Sequence, residues 1–471
     1  MKLNRRQFNA ALAGTAASGL FSRSPWALDN VLLANSKKVL VVGGGISGLY
    51  AADLLMASGY SVQVLEAGAR VGGRILGKDI GGQKFDVGAQ AFTKDMLRVV
   101  ALGKKFGFHV IPKPKQKGFF LRKTDLIVGK DLGQIIQEIN EITEKTEVLE
   151  RRLNDPLSRR EFASISVMDW FHPKLSSDSQ ELFLTSFSSE YCADPSNVSL
   201  LHFIEGNRGY HGDEDEMGFR FREGLFGIVD ELFKRVRSRV RMNHPVEEIT
   251  CTTSGVVATA GGSSFHADYL IFAIPLPQLQ RIKISGLADR TLKSSLSGYR
   301  GAAVRKIVAV YSEPFWKDRP REGVFSPPLG LSLMDNSDTE KGVYSLVAFL
   351  GGPMAYKGVE RSEVLSLAAK VTGDKALQPI AYHEQAWLPD SFLSGGYGSV
   401  GGPGLNKGEI LPKRIGRVFI AGSDSADQFS GYVEGALSSA ERAANGIMEF
   451  AKAGFSLDLL KEDHAKRQVN S

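Results

Sequence analysis

Apolar and polar positions switch between two periods along the chain. Residues 38–42 (Lys-Val-Leu-Val-Val) form a short continuous apolar run, the pattern of a strand buried on both faces of a parallel sheet. Residues 49–58 repeat at helical spacing, Gly59 stops them, and residues 61–65 alternate as a second strand. Together they form one compact strand–helix–strand unit. From about 92 to 212 the texture is largely helical. Leu132, Ile135, Ile136, Ile139, Ile142, Leu149 and Leu153 recur at mostly helical spacing, predicting an amphipathic helix over 131–155. A further helix is expected over 223–237, then short strands at 239–243, 247–252, 255–260 and 269–273, ended by Pro275 and Pro277. Strands at 304–311 and 343–350, a helix at 362–372, a loop at 395–404 with six glycines, a strand at 417–421 and a helix over 431–450 complete the pattern. The fold class this implies is α/β, or α+β overall. One α/β domain is interrupted by insertions that form a second domain.

The first strand runs directly into Gly43-Gly-Gly45-Ile46-Ser47-Gly48 and the first helix, and the second strand ends at Glu66. This is the context in which a Gly-x-Gly-x-x-Gly motif binds a dinucleotide. Gly43 permits the tight turn, Gly45 lets backbone approach a pyrophosphate, and Gly48 lets helix and strand pack closely. The helix N-terminus offers N–H groups and the positive end of its dipole to the phosphates. Glu66 is placed to accept from the adenosine ribose hydroxyls. A second Gly-rich turn follows, Arg70-Val-Gly72-Gly73-Arg74, with Arg74 as the candidate partner for the pyrophosphate.

Composition changes this picture little. The chain has 471 residues, 43% hydrophobic and 23% charged, which excludes disorder as its main content. Glycine is abundant at 51 residues, and two cysteines, Cys192 and Cys251, exclude a disulfide scaffold. The eight histidines show no metal-ligand spacing, so no metal is expected. The net charge of +6 includes Lys2, Arg5, Arg6 and Arg23 of the N-terminal segment, leaving too little to argue for nucleic acid. That segment, Arg5-Arg6-Gln7-Phe8 followed by a mild Ala/Gly-rich run, has the form of a bacterial twin-arginine (Tat) export signal over residues 1–34. It predicts a periplasmic protein handled by the Tat machinery in the folded state, with an uncleaved N-terminal anchor left open. Tyr210, His211 and the acidic run 213–216 read as a solvated loop, the alternative being the lining of an entrance that favours cations.

With these motifs in hand, the sequence resembles the FAD-dependent amine oxidase family, the flavin-containing monoamine oxidase superfamily, from Lys38 to Ile447. The motifs are Val39 to Arg74, including Glu66-Ala67-Gly-Ala-Arg70-Val-Gly-Gly73-Arg74, and Asp86-Val-Gly88-Ala89-Gln90. A third comprises Asn243-His-Pro-Val246 with Asp268 to Ala273 and Pro275; a fourth runs from Lys306 to Glu313-Pro-Phe-Trp316. The last are Trp387 with Gly395-Gly396-Tyr397, and Gly422-Ser423-Asp424 with Gly431-Tyr432-Val433. The resemblance implies a Rossmann-like FAD-binding domain (37–92, 213–283 and 388–450), a substrate domain (93–212 and 284–387) and a C-terminal tail (451–471). It implies FAD along these motifs, with the Val246 backbone at the adenine and Ala273 nearby. Lys306 would reach the flavin N5 through a water, and Tyr397 and Tyr432 would flank the substrate amine before the flavin. By strand alternation Lys306 shares an apolar face with Val304, Val308 and Val310, and a buried lone ammonium needs a partner.

Some family members attach FAD through a Cys just before the first cage tyrosine. Gly396 stands there, so non-covalent FAD is expected. Many members carry Glu after the last Ala-Gly; here Ser423 and Asp424 follow. The resemblance implies oxidation of an amine C–N bond by hydride transfer to the flavin, with oxygen or a periplasmic electron carrier as acceptor. The alternative is a related flavoprotein acting on C–C or ring bonds, of the desaturase or protoporphyrinogen oxidase type, against which Lys306 and the tyrosine pair argue. The amine's identity and the oligomeric state, a homodimer included, stay open.

Overall fold

The computed structural model describes residues 37–114, 117–208, 218–286, 288–326, 330–390 and 392–453. The export signal, Tyr210, His211, the 213–216 run and the tail beyond 453 lie outside the described residues.

The first sheet has six strands in the order Val240–Arg241, Ser61–Leu65, Lys38–Val42, Tyr269–Phe272, Val418–Ile420 and Arg414–Ile415. Its first four pairings are parallel and the last is antiparallel. The central strands are apolar throughout because helices cover the sheet. Ile46–Ala57 packs against both Phe226–Val236 and the C-terminal helix Val433–Ala453. A four-stranded sheet, Ser263–Ala267, Val256–Ala260, Val246–Cys251 and Lys283–Gly286, lies beside it in the chain.

A seven-stranded sheet makes the second core. Its order is Ala381–Trp387, Val304–Tyr311, Tyr344–Gly351, Leu331–Asp335, Glu322–Phe325, Gly118–Arg122 and Asp125–Ile127. Register sets Lys306 opposite Phe349 on one neighbour and Gln385 on the other. The helices between 129 and 206 pack through a run of aromatic contacts. Phe171 stacks on Phe183 at 4.4 Å, and Phe187 stacks on Tyr191 at 4.3 Å. This cluster fixes the helix Ser177–Tyr191, whose end reaches the site.

Most expected elements form, with shifted ends. The long helix stops at Glu150 rather than 155, because Asp155 begins a new one. Its carboxylate accepts from the Leu157 and Ser158 N–H groups, and Pro156 takes the first helical position. The helix expected from 223 starts at Phe226, since Gly224 has a φ of +82°. The 395–404 loop contains a two-residue strand, Val400–Gly401, paired with Tyr299–Arg300. No helix among the described residues is long and apolar enough to cross a membrane.

At the first turn Gly43 has a φ of +107°. A Cβ on Gly48 would lie 2.0 Å from the Gly43 carbonyl oxygen, whereas one on Gly45 would meet nothing within 4 Å. Gly45 has ordinary extended angles. Gly48→Ala is therefore expected to destabilise the cofactor-free protein by about 3 kcal/mol through overpacking, while Gly45→Ala changes it by less than about 0.5 kcal/mol. Thermal unfolding of the two variants, stripped of flavin, checks this; equal melting temperatures would refute it.

Candidate active site

The first turn opens onto a cleft of about 430 Å³. Gly43, Gly45, Ile46 and Ser47 form one wall, and no side chain caps the helix that starts at Ile46. Its first N–H groups and the open space at Gly45 are what a pyrophosphate requires. Gly48 does not line the cleft; it holds helix and strand together. Glu66 lines it, with Oε2 accepting from Gly44 N–H at 2.6 Å and Oε1 from Gly68 N–H at 2.8 Å. Burial raises its carboxyl, opposed by those N–H groups and Arg70. Ala67, Val246 and Ala273 complete this end. The strand register shifts between Val246 and Glu248, an irregularity of the kind that re-aims backbone.

Arg70, Gly73 and Arg74 line the same cleft. Arg70 donates to the Gly73 carbonyl at 2.8 Å and lies over the Trp387 ring. Arg74 donates to the Tyr397 carbonyl and to Ser423 Oγ, and pairs with Asp424 at 3.4 Å. Asp424 also accepts from Ser399 Oγ. Burial alone would raise the Asp424 carboxyl. Arg74 and the Ser399 and Ser423 hydroxyls outweigh it and hold the carboxyl below its ordinary range. Gly422, Ser423, Gly431 and Val433 border this part of the cleft.

Lys306 is 1% exposed. Its Nζ donates to Gly88 O at 2.9 Å and Gln90 Oε1 at 2.5 Å, so it does not snorkel to water. Burial drives the ammonium well below the ordinary lysine range, against the attraction of Asp86. Burial likewise raises the Asp86 carboxyl, although Leu225 and Phe226 N–H groups donate to it. Gly88 and Ala89 line the cofactor cleft, but Gln90 does not. Gln90 was expected at the cofactor; it lies on a second cavity, because its amide is turned to Lys306 and Asn336.

That second cavity has a volume of about 460 Å³. The two cavities share Gly88, Ala89, Phe349, Tyr397, Gly431, Tyr432 and Val433, so both tyrosines stand where they meet. Tyr397 is 37% exposed although it is deep in the protein; that surface faces the cavities. Burial, reinforced by Cys192, raises its phenol well above the usual value. Phe349 meets Tyr397 edge-on at 6.3 Å, and Lys306 Nζ lies 5.6 Å from the Phe349 ring centre.

Asp86, Phe349, Ser399 and Cys192 belong to this site without having been singled out for it. Asp86 stands inside a recognised motif. Phe349 could be placed only through strand register, and Cys192 only through the fold. A Cβ on Gly396 would come 2.7 Å from Cys192 Sγ. Both cysteines are free and buried, and burial pushes the Cys192 thiol up to about 12. Among the described residues no group of three or more His, Cys, Asp or Glu could hold a metal ion.

A family model of flavin-containing amine oxidoreductases matches residues 46–448. An L-amino acid dehydrogenase of Synechocystis sp. is 26% identical over 454 residues, covering 88% of this chain and 95% of that protein. The flavin-containing amine oxidase B of Mus musculus is 28% identical over 460 residues, covering 88% and 87%. Among solved structures, cyclohexylamine oxidase from Brevibacterium oxydans has a TM-score of 0.81 at 22% identity, covering 88% of this chain and 99% of its own. Putrescine oxidase bound to putrescine gives 0.78 at 22% identity with the same coverage. The motifs, the cleft they line and the family match over most of the chain lead to one assignment: the protein belongs to the flavin-containing amine oxidoreductases and is an FAD-dependent enzyme of amine oxidation.

Proposed function

We propose that the amine binds between Tyr397 and Tyr432, in front of a non-covalently held FAD, and that Lys306 acts from the flavin side. The observation that carries this reading is the position of the two tyrosines at the junction of the cofactor cleft and the second cavity. FAD held there would supply the hydride acceptor for the carbon beside the amine nitrogen, and oxidation of that C–N bond would give an imine that water hydrolyses. The protein holds the parts. The Gly43–Ser47 turn and Glu66 fit the pyrophosphate and ribose, Val246 the adenine, and Arg74 with Asp424 the middle of the cofactor. The tyrosine faces attract a cationic amine on approach, and burial there favours its neutral, reactive form. Phe349 stands beside them, edge-on to Tyr397, where the two cavities meet. Gly396 offers no thiol for a flavin link, and Cys192 fills the space a side chain there would need.

The reading is tested by mixing flavin-loaded protein anaerobically with a panel of amines and following the oxidised flavin band. The panel spans aryl-alkyl monoamines, cyclohexylamine, putrescine and L-amino acids. Rapid bleaching by one class is expected and identifies the substrate class. Admitting oxygen then tells whether oxygen or a separate carrier takes the electrons. If FAD is retained but no amine bleaches it, the reading fails.

A second expectation concerns Lys306. Lys306→Met should slow flavin reoxidation by roughly tenfold or more, because a preorganised charge is removed, and slow amine-driven bleaching less. The low proton affinity of Lys306 makes its charge disappear as pH rises through a range below that of ordinary lysines. Wild-type reoxidation should therefore fall as pH rises, and the Met variant should be flat. Identical pH profiles would remove Lys306 from this role.

We further propose export by the Tat route to the periplasm. The Arg5-Arg6 pair supports it. Arg5→Lys with Arg6→Lys should leave the protein in the cytoplasmic fraction in a bacterial host; unchanged periplasmic recovery would rule this out.

A further inference from the structure

His202 lies in a wall between two cavities. On one side is the chamber fronted by Tyr397 and Tyr432. On the other is a smaller pocket of about 130 Å³, lined by Arg159, Glu205, Tyr299, Lys413 and Asp427 among others. His202, Gly206 and Ser430 line both, and of these only His202 carries an acid–base group. The residue is partly buried, and its ring makes no hydrogen bond to protein among the described residues. Its placement is nonetheless fixed. The backbone N–H donates to Ser199 Oγ at 3.1 Å, which caps the helix Leu200–Gly206. The ring meets Tyr299 edge-on at 6.3 Å. Gly401 leaves room for it, since a Cβ there would come 3.2 Å from His202 Cβ.

The charged groups around it come from several elements. Glu205, on the same helix, is paired to Arg159 at 2.8 Å. Asp424, on the turn Ser423–Ser425, is held by Ser399 and Arg74. Lys413 pairs with Asp427 at 3.0 Å, and Arg208 with Glu150 at 3.1 Å. Tyr299 presents its ring from the short strand opposite. Burial lowers the imidazole's proton affinity, while Glu205 and Asp424 draw the other way. The balance leaves a neutral ring, able to accept a proton.

An alkyl amine reaches the site mostly as an ammonium at neutral pH, much as a free lysine side chain would. Only the neutral amine can release hydride, so one proton must leave the chamber. Lys306 is engaged elsewhere: its Nζ donates to Gly88 O and Gln90 Oε1, and it lines the first cleft but not the chamber.

We propose that His202 is the proton outlet of the amine site, accepting the substrate's ammonium proton through solvent in the chamber and releasing it into the Glu205–Asp427 pocket. This rests on the amine reading above. The step breaks one N–H bond and leaves its electron pair on the amine nitrogen. The proton binds an imidazole nitrogen and then passes to water, and no electrons are transferred. His202 is in this sense a relay; it does not touch the flavin.

The test uses full-length, FAD-loaded protein and the anaerobic bleaching assay across the neutral and alkaline range. His202→Gln and His202→Phe should keep the flavin spectrum. Both should bleach roughly a hundredfold more slowly at neutral pH, the low end for a positioned proton-transfer group. The deficit should close as pH rises and the amine arrives already neutral. In His202→Ala, added imidazole should restore much of the rate. Wild-type rates in both variants would overturn the proposal. So would an equal loss at every pH that imidazole does not change, since that is the signature of mere packing. If His202→Phe fails to retain FAD, His202→Gln decides by the same readout. Absence of bleaching in the wild type would instead overturn the amine reading itself, and this inference with it.

Discussion

A lysine with 1% exposure must find partners or lose its proton, and Lys306 finds them 218 and 216 residues earlier in the chain, at Gly88 O and Gln90 Oε1. That buried interaction joins the seven-stranded sheet to the segment running beneath the cofactor cleft. The same segment is pinned at two more points. Asp86 accepts from the Leu225 and Phe226 N–H groups, and Trp387 Nε1 donates to Val87 O at 2.8 Å. Gly88 has no alternative, because a Cβ there would come 2.2 Å from the Arg74 carbonyl. Cleft and chamber meet where they do because these contacts leave the 86–90 segment one position.

A second constraint closes the opposite side. Arg74, from the first Gly-rich region, is held by Asp424 and the Tyr397 carbonyl, both more than three hundred residues later. One guanidinium thus ties Tyr397 and the acid of the final motif together. Such a pair is buried on the Asp424 side and satisfied by hydroxyls, the condition under which a buried charge is tolerable. The helix ending at Tyr191 approaches from a third direction and sets Cys192 against Gly396. Three separate parts of the chain therefore shape the place where the cleft and the second cavity meet.

Much of this was legible in one dimension. The run 38–42, the glycines after it and Glu66 follow from local rules, since strand burial, turn angles and helix N-termini need only neighbouring residues. Gly43 and Gly48 show the same logic in space. Helix ends were harder, because caps such as Asp155 and left-handed glycines such as Gly224 compete with hydrophobic periodicity. Gln90 sits in a motif that reads as cofactor-facing, yet Lys306 claims its amide. The outer strands of the second sheet, such as Ala381–Trp387, carried no decisive pattern, because pairing partners rather than alternation define them.

By itself the sequence determined the dinucleotide turn, the α/β class and the likeness to flavin amine oxidoreductases, because each is written in short-range spacing that survives any arrangement of the rest. Tertiary structure alone decided which side chains share a cavity. It set Phe349 across from Lys306 by strand register, Cys192 behind Gly396, and His202 in the wall between chamber and polar pocket. Those placements depend on contacts between residues far apart in the chain, and burial then sets how Lys306, Asp86 and His202 hold their protons, which no local pattern encodes.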